Sequence, residues 1–184
     1  MTIDVLGMSL AFETREGLFS PAHADRGTLA MLSFADFRPG MRVLDLGCGW
    51  GLVGVAAAKI CGAENVWMAD ADPEAVSCAR ENAARNGVGD AHFCVSDGFF
   101  GIGEAGFDLI LSNPPYQSDF SVAKGFIEKG FNRLKLGGRM LMVVKREAWY
   151  RNKMISVFGG VRVFPADGYL VFAAERRRAA RGGM

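Results

Sequence analysis

Residues 42–60 read RVLDLGCGWGLVGVAAAKI, and the fold follows from the way this stretch changes character. Val43 to Leu46 is a short β-branched and leucine run that stops at glycines. Gly51 to Ile60 is small and apolar, the composition of a helix laid on a sheet. Working outward, NVWMAD (65–70) predicts a second strand. Asp72 then stands as a cap before Pro73, in the first helical turn that tolerates proline, and a helix runs to the Asn86-Gly87 stop. AHFCVSD (91–97) and FDLILSN (107–113) are the third and fourth strands. The helix VAKGFIEKGFNRLKL (122–136) stops at Gly137-Gly138 before a fifth strand, RMLMVVK (139–145). A helix over Glu147–Phe158 precedes VRVF (161–164) and YLVFAAE (169–175), whose Asp167-Gly168 connection predicts an antiparallel pair at one edge. This strand–helix alternation predicts an α/β fold, an open and mostly parallel sheet with helices on both faces. The first forty residues stand apart, with a strand over Ser9–Thr14, a turn at Glu16-Gly17 and a helix near His23–Asp36.

The chain has 184 residues, 50% hydrophobic and 22% charged, enough for one full core and too few for two comfortable domains. Residues 1–175 are read as one domain, with 1–38 an extension over the pocket and 176–184 a basic tail. That tail, with Glu175, carries four arginines against one acid, so the remainder is −2 within a net charge of +1. The bulk charge gives no strong pull toward nucleic acid, although a local basic patch is compatible with it. Cys48, Cys61, Cys78 and Cys94 form no C-x-x-C pair, and with only His23 and His92 besides, no metal set is expected. They read as reduced thiols of a cytoplasmic protein. No signal-peptide pattern and no run of eighteen apolar residues is present, so no membrane association is expected.

In open α/β sheets ligands sit at the carboxyl ends of strands. The residues there are Asp45-Leu-Gly47-Cys-Gly49-Trp-Gly51, Asp70, Asp97 and Asn113-Pro-Pro-Tyr116. Gly49, Gly51 and Gly54 match G-x-G-x-x-G, with Asp70 about twenty residues on, the spacing of a dinucleotide fingerprint. The strand, however, stops before Gly47, and Asp45 beside the turn would repel a pyrophosphate. A cationic ligand without phosphate suits it better, and S-adenosylmethionine (AdoMet), with its sulfonium and ammonium groups, meets that demand. Asp70 can then accept both ribose hydroxyls and Asp97 the adenine amino group, although a lone strand-end Asp also serves as a helix cap.

Asn113-Pro114-Pro115-Tyr116 ends a strand rigidly, since two prolines cannot continue a ladder. Its functional reading is a frozen loop in which the Asn113 side-chain oxygen and the Pro114 carbonyl accept both protons of an exocyclic or amide NH₂. Two fixed acceptors favour the pyramidal nitrogen and aim its lone pair at a methyl group. Tyr116 offers a stacking face, worth about 1–3 kcal/mol per base. No general base is needed before transfer, because the proton turns acidic only once the nitrogen is alkylated.

DLGCGWG, ADAD (69–72), ENAARNG (81–87), Ser96-Asp97 and SNPPY resemble the class I AdoMet-dependent methyltransferases that modify amino nitrogens. GLFSPAHADRGTLAML (17–32) is similar to the entry segment of the "small-domain" methyltransferases, which include the small-subunit rRNA guanine-N2 enzymes. The resemblance spans about residues 9–175. It implies a Rossmann-like seven-stranded sheet with the last strand antiparallel, AdoMet as donor, and RNA as acceptor, most specifically guanine N2 of small-subunit rRNA, free or within a ribosomal particle. It also implies site roles. Gly47 and Gly49 approach the methionine part and Asp45 organises its charged end, while Asp70 holds the ribose and Asp97 the adenine. Cys48, Ala71, Ser96, Gly98 and Asn113 complete the cofactor set, with Phe19 and Ser20 over that side of the pocket. Asn113, Pro114, Pro115 and Tyr116 form the methyl-acceptor site. The two-domain guanine-N2 enzymes carry an N-terminal domain, and no counterpart of it is expected within these 184 residues.

Other readings remain beside this one. A protein glutamine amide uses the same N-P-P-Y chemistry, and adenine N6 of tRNA is a further acceptor. A non-catalytic AdoMet-fold subunit has no reason to keep the acceptor loop, and a dinucleotide oxidoreductase rests on the glycines alone. Ser20, His23 and Asp25 contain the types of a nucleophilic triad but fall where Ser and Asp are ordinary caps. Phe99-Phe100 reads as a core-packed loop or a substrate contact, and Lys145 and Arg146 beside Trp149 and Tyr150 as a phosphate and stacking patch or a solvated helix start.

Overall fold

The computed structural model describes residues 1–114 and 120–179. A hairpin of β1 (Thr2–Val5) and β2 (Met8–Ala11) leads into α1 (Arg26–Ser33). There follow β3 (Val43–Leu46), α2 (Leu52–Cys61), β4 (Val66–Asp70), α3 (Pro73–Arg85), β5 (His92–Val95), β6 (Phe107–Ser112), α4 (Phe120–Arg133), β7 (Leu134–Val144), α5 (Ala148–Phe158), β8 (Arg162–Ala166) and β9 (Tyr169–Glu175). The larger sheet has seven strands in the order β5-β4-β3-β6-β7-β9-β8. β3 to β7 run parallel, and β9 lies antiparallel between β7 and β8. The order turns back on itself beside β3, so a crevice opens at the carboxyl ends of β3, β4 and β6.

Alternation along the strands splits the core into two layers. Val43, Met68, Leu109, Leu111 and Val143 face α1, α2 and α3. Leu44, Leu46, Ile110, Met140 and Met142 face α4 and α5, which contribute Phe126, Ile127, Phe131, Met154 and Phe158. A sheet so covered buries both faces of its central strands, which explains why β3 is buried at all four positions.

The amino-terminal segment differs from the expected single strand over Ser9–Thr14. Leu6 and Gly7 both take positive φ, 52° and 75°, and turn the chain into a two-residue hairpin. A leucine at such a position gives no turn signal, so β1 is not legible in the sequence. From Ala11, the last residue of β2, to Glu13 the extended chain also bonds to side chains at the end of α3. Asn86 donates to Ala11 O (2.7 Å) and accepts from Ala11 N (3.0 Å), and Asn82 does the same with Glu13 O (2.8 Å) and Glu13 N (2.8 Å). Asn82 on α3 and Asn86, its carboxy-terminal cap, lie four residues apart, about 6 Å along a helix. That matches the span of about 6.6 Å between alternate residues of an extended chain. Asn82, fully buried, also donates to Trp50 O at 2.9 Å and so fastens the glycine loop to α3. Asn82→Ala therefore strands several buried polar groups, and we expect a loss of about 3 kcal/mol in urea unfolding with an unchanged slope. Asn86→Ala, at an exposed pair, should cost about 1 kcal/mol.

Gly137-Gly138 does not stop the helix as expected. α4 ends at Arg133 and β7 begins at once, with the glycines in a bulge where the register with β6 shifts. The chain stays paired past β9: Arg176 N donates to Gly138 O at 2.8 Å, and its guanidinium lies 5.1 Å from the Phe131 ring. No helix among the described residues is long and apolar enough to cross a membrane.

Candidate active site

The glycine loop after β3 sets the floor of the crevice. Gly47, Gly49 and Gly51 take φ of 78°, 52° and 95°, a left-handed succession that side-chain-bearing residues resist. Gly47 N and Cys48 N both donate to Ala69 O, at 2.8 and 3.0 Å, and Gly49 N donates to Asp70 Oδ2 at 2.9 Å. These backbone donors are used by the end of β4, whereas a pyrophosphate-binding loop points them at its ligand. The dinucleotide reading thus loses its donors as well as its electrostatics.

A cleft of about 350 Å³ lies above this loop, within the usual range for small-ligand sites. Phe19, Asp45, Gly47, Cys48, Gly49, Asp70, Ala71, Ser96, Asp97, Gly98, Asn113 and Pro114 all line it. The structure therefore brings together every candidate residue that it describes. Pro115 and Tyr116 lie outside the described residues. Sequence reasoning gave no site role to the Asp25 and Thr28 walls, nor to Leu52, Val53, Val122 and Phe126, the apolar flanks. These carry no local signal, because they reach the cleft through tertiary packing.

Asp45 is 2% exposed and accepts one backbone bond, from Gly54 N in the first turn of α2, at 2.8 Å. Burial pushes its carboxyl up to about 7, with the nearby Asp70 adding to the effect and the Gly54 bond opposing it. Both Asp70 oxygens hold backbone: Oδ2 takes Gly49 N and Oδ1 takes Asp72 N at 3.0 Å. Each ionised oxygen can accept a second bond, so this anchoring is compatible with two further hydroxyl donors. A buried carboxylate beside a second acid, flanked by apolar walls, suits a ligand with a fixed positive charge and a flat apolar body.

Ser96 lines the cleft, yet its hydroxyl is engaged in the loop, donating to Gly98 O (2.8 Å) and accepting from Gly101 N (2.9 Å). It shapes the turn that presents Asp97, which is exposed. Burial raises the Cys48 thiol well above its ordinary range, which makes it a poor nucleophile. Trp50 Nε1 donates to Phe19 O at 3.0 Å and tethers the entry segment over the cleft.

Asn113 follows β6, whose last residue, Ser112, is fully buried and donates through its hydroxyl to Leu46 O at 2.8 Å. This bond sets Asn113 beside the glycine loop. The Asn113 Nδ2 donates to Asp25 Oδ2 (3.0 Å) and Thr28 Oγ1 (2.9 Å). Because an ionised carboxylate only accepts, this contact fixes which edge of the amide carries nitrogen and places Oδ1 on the opposite edge. Asp25 is also the cap of α1, accepting from Thr28 N at 2.8 Å, while Ser20 Oγ donates to His23 O. The residues of the supposed triad are thus engaged in local turns and a cap. Phe99 is 3% exposed and Phe100 91%, so that pair divides between core and surface. Lys145 and Arg146 are exposed, and Trp149 stacks on Phe120 with centroids 4.4 Å apart.

Residues 9–173 match the family described as "Methyltransferase small domain". The large-subunit ribosomal RNA methyltransferase G of Streptomyces avermitilis is 32% identical over 84% of this chain and 42% of its own length. The small-subunit ribosomal RNA methyltransferase C of Pseudomonas putida is 30% identical over 87% of the chain and 49% of its own. The chain thus spans about half the length of the curated relatives it matches. Among solved structures, the T. thermophilus 16S rRNA N2 G1207 methyltransferase RsmC, in complex with AdoMet and guanosine, superposes with a TM-score of 0.88. It is 26% identical, with 96% of this chain and 50% of that one covered. TrmN from Thermus thermophilus gives a TM-score of 0.70 at 30% identity, over 81% of this chain and 48% of its own. With strand order, glycine loop and matched length in agreement, this chain belongs to the methyltransferase small-domain family.

Proposed function

We propose that this chain binds AdoMet in the cleft and directs methyl transfer to an exocyclic amino nitrogen of an RNA base, N2 of a guanine in small-subunit rRNA. The observation that carries this reading is the convergence of the buried Asp45, the anchored Asp70 and the oriented Asn113 amide on one cleft. The likeness to a guanosine-bound N2 methyltransferase supports the choice of base. Bound AdoMet supplies an electrophilic methyl group on a sulfonium. Asp45 faces its charged end, Gly47 and Gly49 allow close approach, and Asp70 accepts from the ribose hydroxyls. Asp97 accepts from the adenine amino group, with Cys48, Ala71, Ser96, Gly98 and Phe19 as the surrounding wall.

On the acceptor side, Asn113 Oδ1 and the Pro114 carbonyl each accept one proton of the base NH₂. They hold the nitrogen lone pair toward the methyl carbon, and Pro115 and Tyr116, which lie outside the described residues, complete the acceptor motif in sequence. The new N–C bond forms as the S–C bond breaks, and the alkylated nitrogen then releases a proton to water. Positioning does most of the work, because no general base is needed before transfer and orienting two reactants lowers the barrier by itself.

The acceptor atom is tested with RNA in which inosine replaces guanosine. Inosine lacks the N2 amino group, so we expect label from methyl-labelled AdoMet in the guanosine RNA and none in the inosine RNA. Equal labelling of both would move the chemistry to another atom.

Cofactor binding should depend on pH. A cationic ligand requires ionised Asp45, so binding displaces its proton, and affinity should fall about tenfold for each pH unit below about 7. Calorimetry between pH 6 and 8 measures this, and Asp45→Asn should bind weakly with a flat profile. Without ligand the linkage runs the other way for stability. The folded protein holds the Asp45 proton more tightly than the unfolded chain does. This group's contribution therefore declines as pH rises from about 4 to about 7, and Asp45→Asn should be the more stable protein at pH 8.

A further inference from the structure

Asp25 does more than cap α1. Its Oδ2 accepts from Thr28 N (2.8 Å), Thr28 Oγ1 (3.2 Å) and Asn113 Nδ2 (3.0 Å), while Oδ1 accepts from the Tyr169 hydroxyl (3.3 Å). Tyr169 comes from the start of β9, 144 residues away, and reaches Asp25 by passing close over Gly27 in the first turn of α1. Gly27 makes that approach possible, since a Cβ there would sit 2.6 Å from the Tyr169 ring. The spacing Asp25-x-Gly27 is thus explained by two contacts: the aspartate carries the bonds and the glycine admits the ring that braces it.

We propose that Asp25, braced by Tyr169 and Thr28, is a positioning residue for methyl transfer: it holds the Asn113 amide with Oδ1, and not Nδ2, turned toward the acceptor nitrogen. The inference rests on the proposed transfer to a base amino group. An unrestrained asparagine amide can rotate by half a turn, presenting NH₂ to an NH₂ donor. Two donors then face each other and the nitrogen lone pair loses its direction. Rotation here would instead press Asn113 Oδ1 against Asp25 Oδ2, two electron-rich oxygens about 3 Å apart, which the ionised carboxylate does not tolerate. In this role Asp25 acts through Asn113 and not on the reacting atoms themselves.

The test separates capping from positioning. Asp, Asn and Ser are comparable helix caps, but serine is too short to hold Thr28 N and Asn113 together. Asp25→Asn keeps an oxygen at the Oδ2 position and a polar group toward Tyr169. We expect Asp25→Ser to lower kcat by roughly 30- to 100-fold, with KM for RNA and Kd for AdoMet within about twofold, since misplacement of a positioned group acts on the chemical step. Asp25→Asn should recover turnover to within about fivefold of the parent. In nitrogen-edited NMR of the full chain, the Asn113 side-chain NH₂ signals should move and lose exchange protection in Asp25→Ser and hold in Asp25→Asn. Parent-like turnover in Asp25→Ser, or Asn113 signals unmoved by it, would overturn the positioning role and leave Asp25 as a cap. A parent protein that methylates no RNA would overturn the underlying reading, and the role with it, whatever the NMR shows.

Discussion

Replacing Asn113 with alanine should leave AdoMet affinity within about twofold while kcat falls by about 10²–10³-fold, the usual cost of removing one preorganised hydrogen-bonding group from a reacting centre. The split follows from the proposed placement. Asn113 follows β6 with its amide nitrogen held by Asp25 and Thr28, and the proposal gives Oδ1 to the acceptor and not to the donor. The fold should survive the change. Asp25 keeps Thr28 N and Tyr169, and Thr28 keeps its bond to Asp25, which limits the loss to about 1 kcal/mol. Single-turnover transfer with saturating AdoMet gives kcat directly, and a parallel calorimetric titration gives the affinity. A variant that bound AdoMet a hundredfold more weakly would place Asn113 on the donor side of the cleft.

Asp70→Ala should act in the opposite sense, weakening AdoMet by about 100-fold, since two hydrogen bonds to a charged acceptor together contribute about 3 kcal/mol. Part of the effect runs through the protein itself. Gly49 N and Asp72 N lose their acceptors at 2.9 and 3.0 Å, and the glycine loop loses its tie to β4. Asp70→Asn retains one acceptor oxygen and should fall between the two. Titration calorimetry is the measurement, with thermal unfolding beside it to show that the loop's loss is local. Unchanged affinity in Asp70→Ala would remove Asp70 from the site.

The order of these elements was legible because strands covered on both faces are written as apolar runs. β3, β4 and β6 stand out for that reason, and the residues that follow each of them line one cleft. Asp45, Asp70, Asp97 and Asn113 could be found from where strands stop. Contacts between distant segments could not. The bond from Asn113 to Asp25 joins residues 88 apart, and the amide ladder from Asn82 and Asn86 joins α3 to residues 69 and 75 positions earlier. Asp25 carried a signal for its cap, which is local, and none for its second task, which is not. The hairpin turn at Leu6-Gly7 escaped for another reason. A leucine at φ 52° breaks the local rule that would have announced it. In sequence, Gly137-Gly138 has the pattern of a helix stop as much as of a bulge, because glycine serves both purposes, and only the register with β6 decides between them.

In the proposed reaction this cleft passes a methyl group from AdoMet to guanine N2 of RNA. Its most direct measurement is transfer of labelled methyl from AdoMet to free RNA, ribosomal subunits, tRNA and protein, counted separately and followed by nucleoside digestion of any labelled RNA. Label is expected in RNA of the small ribosomal subunit, recovered as N2-methylguanosine. Label recovered only as N6-methyladenosine, or only in protein, would contradict it.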